Sequence, residues 1–302
     1  MSKFKVWLNA ARLRTLPLSL AGIIMGTAIA NYKGFSNTFV FGLALLTTVL
    51  FQITSNFAND YGDGTKGTDS TDRVGPNRAL QSGLLSQKEL KKGIILFSIL
   101  SLLASILLLI VAFGKAYTLY FIFFLILAVL AVIAAIKYTM GDTPYGYKGL
   151  GDVFVFIFFG LVAVLGTEFL YTKTFDVISI LPAIVIGLLS VAVLNLNNLR
   201  DHVSDFNHGK ITLVVKMGFQ KGKVYHFLIV GLAIVLLLWY SFLLKQPITN
   251  LFFLLSLLPL IFNLIKVQRT KEPKNLDSEL KKVALSTFLL AVTFYIAINY
   301  FF

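Results

Sequence analysis

Long apolar runs alternate along the chain with short polar stretches. Nine of the runs approach the roughly 20 residues that a helix needs to cross a hydrocarbon layer. They fall at residues 16–34, 39–59, 93–113, 118–137, 152–172, 178–198, 224–244, 248–265 and 283–302. The pattern predicts an all-α polytopic membrane protein with nine transmembrane helices and a single domain over 1–302. The first run follows basic residues, but it reaches full span length without a convincing cleavage site. It therefore reads as a span and not as a removable leader.

Nine spans put the two termini on opposite sides of the membrane, and the basic residues test that count. The N-terminal tail and the loops after spans two, four, six and eight hold 23 Lys and Arg, while the opposite loops hold only Lys33, Lys115, Lys173 and Lys245. A missed or invented helix would scramble this alternation. By the positive-inside rule the N-terminus and the four basic loops face the cytoplasm, and the C-terminus lies outside.

Composition agrees and narrows the classes. Of 302 residues 57% are hydrophobic and 14% charged, with mean hydropathy +0.81. An ordinary soluble domain carries about a quarter charged residues. The numbers exclude a soluble globular enzyme, a disordered chain and a nucleic-acid-binding module. The net charge of +13 is mostly the topological bias just described and needs no polyanionic partner. The absence of Cys excludes disulfides, thiolate metal sites and cysteine nucleophiles.

The chain has 14 acidic residues, and eight of them sit on the cytoplasmic side in or near two short stretches. Asp60, Asp63, Asp69 and Asp72 follow span two; Asp201 and Asp205 follow span six; Asp142 and Asp152 lie in the loop between spans four and five. Acidic residues at helix ends in lipid are costly, so such a cluster points to function. If the helices continue through the two stretches, Asn59 and Asp63 stand four apart, as do Asn197, Asp201 and Asp205. That spacing stacks oxygen ligands on one helix face. Four spans separate the stretches, so both helices point the same way. The chain thus reads as two pseudo-repeated halves, each presenting one acidic tip to a shared central cavity.

Oxygen ligands without Cys suit a hard cation. Mg²⁺ typically takes one or two carboxylates plus substrate phosphate oxygens. Lys66, Arg73, Arg78, Lys148, Arg200 and Lys210 lie among or near the acids and can neutralise what the metal leaves of a diphosphate's charge. Other motifs fail. Asp60-Tyr-Gly-Asp63-Gly lacks the alternation and closing Glu of a calcium loop, and no P-loop is present. His202 and His208 read as surface loop residues, His226 as an interfacial residue, and Glu168 as a structural residue near the outer end of span five.

Four segments carry a family resemblance. They are Ala11-Arg-Leu-Arg-Thr-Leu-Pro17, the run from Gln52 to Asp72, the run Tyr138 to Asp152, and Asn197-Asn-Leu-Arg-Asp201 through Asp205 to Leu213. With nine spans, they resemble the UbiA superfamily of membrane prenyltransferases over essentially the whole chain. The run Tyr138 to Asp152 is similar to the branch that prenylates a naphthoate rather than a hydroxybenzoate. Departures are Gly67 where the superfamily often has a third acid, Met140 in place of a common glycine, and Thr143 where a basic residue is frequent. Asp69 is expected to take the role that Gly67 cannot.

The resemblance implies a polyprenyl diphosphate donor, an aromatic acid acceptor and Mg²⁺, with two ions expected. It implies a bacterial cytoplasmic membrane enzyme that prenylates 1,4-dihydroxy-2-naphthoate with loss of CO₂ and diphosphate. Asn59, Asp60, Asp63, Asp69, Asn197, Asp201 and Asp205 are the expected metal ligands. Lys66, Arg73, Arg78, Tyr138, Tyr147, Lys148, Arg200 and Lys210 are the expected substrate contacts, with Asp63, Asp201, Lys148 and Asp152 catalytic. Another aromatic acceptor such as 4-hydroxybenzoate stays open within the family. A secondary transporter stays open outside it, although transporters tend to place charge near the bilayer midplane and not at one face.

Overall fold

The computed structural model describes residues 2–68, 74–75, 78–245 and 248–301. Among these residues nine helices are long and apolar enough to cross a membrane. Spans one to nine are Lys3–Tyr32, Thr38–Thr65, Gln87–Phe113, Thr118–Lys137, Gly151–Thr172, Val177–Asn207, Phe219–Leu243, Asn250–Arg269 and Pro273–Tyr300. Each contains most or all of one apolar run of the sequence. The helices outlast the runs at their polar ends, most usefully in spans two and six, where the helix carries straight through the Asn/Asp stretches.

Local chemistry sets several of these ends. The Asn37 side chain accepts the Phe39 and Val40 N–H groups and starts span two. Ser86 and Glu89 form a reciprocal capping box at the start of span three. Span one is broken rather than continuous. Helix Lys3–Ala11 stops at Arg12, which adopts φ 50°, and Leu16–Tyr32 resumes after a short turn, with Pro17 in its first turn.

Span five contains a π-helical stretch, Phe156–Gly166. Its neighbours approach it backbone to backbone. A Cβ at Gly160 would sit 2.6 Å from the Gly187 Cα of span six, and one at Gly26 would sit 2.4 Å from the Val164 carbonyl oxygen. Small residues at such crossings are the usual means of close helix approach in lipid.

Three apolar clusters hold the bundle. The largest joins spans one, five and six to the last three spans around Met25, Ile186, Leu237 and Phe294. A second sits at the acidic end of spans two and three, where Trp7 meets Phe57 edge-on at 5.1 Å. A third closes the opposite end around Phe113. Span four packs its backbone chiefly on spans two and three and meets span five through aromatic side chains at the outer end, where Tyr120 and Phe124 pack on Phe169. Its outer face exposes Ile122, Phe123, Ile126, Leu130 and Ile133, as a helix solvated by lipid requires.

Candidate active site

An apolar cavity of about 370 Å³ lies among spans one to five, with Leu194 of span six also in its lining. Ala128, Ala131 and Ala135 of span four form one wall, and Phe154, Phe158 and Val162 of span five form the facing wall. Small residues on one side and large ones on the other leave a slot rather than a packed core. Along span two the lining runs from Ala44 to Asn59, which is about 22 Å at 1.5 Å per residue. Gln52, Ser55, Asn59 and Tyr138 make the acidic-end mouth of this slot polar. The Ser19 hydroxyl donates to Gln52 Oε1 at 2.6 Å, and Gln52 Nε2 donates to Asn56 Oδ1 at 3.2 Å.

Just beyond that mouth the two halves meet. Lys210 is buried, and its ammonium lies 3.1 and 3.3 Å from the two carboxylate oxygens of Asp63. Burial works against a charged lysine. The Asp63 and Asp205 carboxylates outweigh it, so the Lys210 pKa rises above the usual range and the group stays an ammonium. Lys210 follows span six and Asp63 ends span two, so one ammonium ties the first acidic tip to the second. The backbone ties the same segment to the loop after span four, because the Ile211 N–H donates to the Tyr147 carbonyl at 3.3 Å.

The loop after span four closes over this pair. The Tyr147 hydroxyl donates to Asp63 Oδ1 at 2.9 Å and lies 2.6 Å from Thr68 Oγ1. The Lys210 ammonium lies 5.4 Å from the centre of the Tyr147 ring. Burial, then the Asp63 charge, pushes the Tyr147 phenol up and keeps it a donor. Tyr138 is pushed up to about 12, mainly by burial, with Lys210 pulling the other way. The loop can come this close because position 62 is glycine: a Cβ there would meet Thr139 Oγ1 at 2.4 Å. Thr139 itself donates to the Ala58 carbonyl at 3.0 Å.

Asp201 is neutralised differently. The Arg200 Nε and Nη2 groups donate to its two carboxylate oxygens at 2.8 and 2.6 Å. The same guanidinium reaches Asn197 Oδ1 at 2.9 Å and Asp277 of span nine at 2.5 Å. Such a fork is an arginine property that lysine lacks. Arg200 is an expected substrate contact, and in the structure its donors reach these three neighbours and hold Asp201.

Other expected site residues fall into place or out of it. Asn59 lines the cavity mouth, with Thr139 donating to its Oδ1 at 3.4 Å. Lys66 donates to the Gly141 carbonyl at 2.8 Å and stands 5.8 Å from the Tyr147 ring centre. Asp60 is diverted: its buried carboxylate is gripped by Arg12, with Arg78 at 3.4 Å. The left-handed break at Arg12 turns that guanidinium inward, and Asn56 donates to the Ala11 carbonyl beside it at 2.8 Å. In the structure Asp60 anchors the N-terminal helix through Arg12, with Arg78 as its second neighbour. The Lys148 side chain is exposed, and its carbonyl accepts from Lys216 at 2.6 Å. Asp152 is buried and accepts from the Tyr225 hydroxyl at 3.0 Å. Its charge also acts on Tyr138. Asp69, Asp72 and Arg73 lie outside the described residues.

His226 corrects another expectation. It is fully buried and not interfacial, with Nε2 2.8 Å from Asn263 Oδ1. Sequence reasoning also missed Arg12, Thr68, Thr139 and Tyr225, whose partners lie far away along the chain. Glu168 behaves as expected: Lys33 at 2.6 Å and Ser179 at 3.0 Å hold it in a structural network.

The donor set can be tested against a hard divalent cation. Asp63 and Asp205 offer carboxylate oxygens from two helices, and Asn59 and Asn197 offer amide oxygens one turn before Asp63 and Asp201. Among the described residues no three carboxylate or imidazole groups converge as a ready-made cage. That suits Mg²⁺, which is commonly held by one or two carboxylates with the remaining positions left to phosphate and water. The residues fit the group.

Comparison with known proteins places this geometry. Residues 19–298 match the UbiA prenyltransferase family. The chain is 44% identical, over 97% of its length and 95% of the relative's, to the 1,4-dihydroxy-2-naphthoate octaprenyltransferase of Haemophilus influenzae. It is 41% identical, over 96% and 90% of the two lengths, to the Escherichia coli protein of the same name. In fold it resembles a UbiA homolog from Archaeoglobus fulgidus bound to GPP and Mg²⁺, with TM-score 0.67 and 17% identity, covering 99% of this chain and 100% of that one.

Proposed function

The chain belongs to the UbiA prenyltransferase family, and from that premise we propose that it transfers a polyprenyl group from polyprenyl diphosphate to 1,4-dihydroxy-2-naphthoate, releasing diphosphate and CO₂ and giving demethylmenaquinone in its reduced, quinol form. The observation that carries the reading is the meeting of two acidic helix tips at the polar mouth of an apolar slot. The names of the H. influenzae and E. coli relatives support the acceptor.

The slot suits the prenyl chain. Its length of about 22 Å falls short of an eight-unit tail, which stretched out exceeds the ~30 Å of a bilayer's hydrocarbon core. Below the Phe124–Phe169 contact, spans four and five are separated by the slot itself, and this side would give the remainder a route into lipid. The mouth suits the head group. Asp63 and Asp205, with Asn59 and Asn197, would hold Mg²⁺, whose chemistry is to offset the charge that grows on diphosphate as the C–O bond breaks. Lys210 and Lys66 would bind phosphate oxygens. The walls of the slot exclude water from the allylic cation left behind. Tyr138, Tyr145 and Phe154 form an aromatic cluster in the cavity lining, and a cation beside such rings would be stabilised by the π system. The electron-rich ring of the acceptor attacks from the same mouth, near Tyr138 and Asp152.

The Lys and Arg bias puts the N-terminus and both acidic tips at the cytoplasmic face of a bacterial membrane. The test of the whole reading is purified protein with one polyprenyl diphosphate, Mg²⁺ and both acceptors together. Prenylated naphthoate and no prenylated 4-hydroxybenzoate is the expected product, lost in EDTA and regained with Mg²⁺. Prenylation of 4-hydroxybenzoate instead would overturn the acceptor, and full activity in chelator would overturn the metal.

A further inference from the structure

Spans seven, eight and nine carry a buried polar chain that the reaction does not use. His226, Asn263 and Glu279 are each no more than 1% exposed. Glu279 can only accept, so the Asn263 amide that donates to it at 2.9 Å is Nδ2. Asn263 Oδ1 then faces His226 Nε2 at 2.8 Å and takes its proton in a hydrogen bond. Glu279 is thereby held by two residues in sequence. Its other oxygen receives the Lys282 ammonium at 2.6 Å. The chain ends at the surface and fixes where that ammonium stands.

Lys282 stands in a cleft of about 530 Å³ that spans eight and nine form together. The rest of the lining is Lys266, Asn263, Phe262, Pro259 and Leu258. The order along span eight is informative. Lys266 is at the membrane boundary, Phe262 lies one turn deeper, and Pro259 and Leu258 lie a further turn in. Charge sits at head-group depth and apolar surface at acyl depth. Phe262 is 67% exposed and Leu258 50% exposed, so no protein side chain covers this wall.

We propose that this cleft is a binding site for an anionic phospholipid, with the phosphate between Lys266 and Lys282 and one acyl chain along Phe262, Pro259 and Leu258. The charges favour a phosphodiester. Two ammonium groups less the carboxylate of Glu279 leave one net positive charge, which matches one negative phosphate. A diphosphate would be left undercompensated, and no pair of carboxylates is present to share a metal with it. The Lys282 ammonium has three donors and gives Glu279 one, so others remain for phosphate oxygens. Basic pockets between membrane helices recognise lipid head groups by these means.

The test is thermal unfolding of the full-length protein in neutral detergent, titrated with phosphatidylglycerol, phosphatidylcholine or inorganic phosphate. Phosphatidylglycerol is expected to raise Tm, and the other two are not. Lys266→Gln should weaken the phosphatidylglycerol effect about fivefold, the worth of one lysine at a membrane surface. Phe262→Ala, which keeps both charges, should weaken it as well. Lys282→Gln strands a buried carboxylate and lowers Tm by itself, so it is not the deciding variant. Lys274→Gln removes a nearby charge outside the cleft and should leave the effect intact. Equal loss in Lys266→Gln and Lys274→Gln, an unchanged effect in Lys266→Gln, or the same shift with inorganic phosphate would each overturn the proposal.

Discussion

Spans two and six present the same pattern at the same membrane face, yet they keep it in place by opposite means. Each ends a 28-residue helix, and each places Asn four residues before Asp. At the tip of span six the charge is balanced from within: Arg200, the residue before Asp201, closes on it with two hydrogen bonds and ties it to span nine. At the tip of span two the balancing charge comes from the other half, since the ammonium on Asp63 belongs to Lys210. The second tip is self-held and the first is held by the second. A repeat can preserve ligand spacing while dividing the work of positioning unequally.

The largest effect expected of this asymmetry is on chemistry. Asp63→Ala removes the carboxylate that meets both Lys210 and Tyr147 just beyond the cavity mouth. Transfer should fall by at least about a hundredfold, the scale for loss of a preorganised electrostatic contact, with a drop in Tm that stays below that of Arg200→Met because Asp205 still balances the Lys210 charge. Measurement of kcat/KM beside thermal unfolding separates the two. Asp60→Ala is its foil, because its cost should appear in stability through the freed Arg12.

At the self-held tip the effect should be reversed in kind. Arg200→Met leaves Asp201 buried without its partner, which costs about 3–5 kcal/mol. A drop in Tm that exceeds that of any Asp63 variant would support the contrast, and equal drops would break it.

A smaller effect is expected at Gly62. A Cβ there meets Thr139, so Gly62→Ala should push the loop from the helix and cost about 1–3 kcal/mol. Because that loop carries Tyr147, KM for the donor should rise along with the stability loss.

The smallest effect on activity is expected at the far end of the molecule. Glu168 is as buried as Asp63 and is also paired with a lysine, but Lys33 and Ser179 hold it away from the polar mouth of the slot. Glu168→Gln should lower Tm modestly and leave kcat unchanged. A buried ion pair alone does not make a site; its position at the mouth of a cavity does.

Much of this was legible along the chain, for identifiable reasons. Apolar run length is set by bilayer thickness, so nine spans could be counted directly. Four-residue spacing holds in any continuous helix, so Asn59 with Asp63, and Asn197 with Asp201 and Asp205, could be paired in advance. What a carboxylate faces across space could not be read in the same way. Asp60 and Asp63 are three residues apart on one helix, but Asp60 meets Arg12 and Asp63 meets Lys210, and neither partner is signalled locally. His226 looked interfacial because it opens an apolar run, whereas Asn263 and Glu279, which bury it, belong to later spans. The π-helical stretch of span five lies where Gly160 and Gly26 permit close approach of spans six and one, and such approach depends on neighbours rather than on the run itself.

The central claim is that the two tips act on one ligand. A double-mutant cycle tests it most directly, with Asp63→Asn, Asp205→Asn and the double variant titrated with polyprenyl diphosphate in the presence of Mg²⁺. Residues that share a ligand couple by about 0.5–3 kcal/mol. The expected result is a double variant that loses clearly less affinity than the two single losses combined. Losses that add within about 0.3–0.5 kcal/mol would mean that the tips work apart, and would contradict the account.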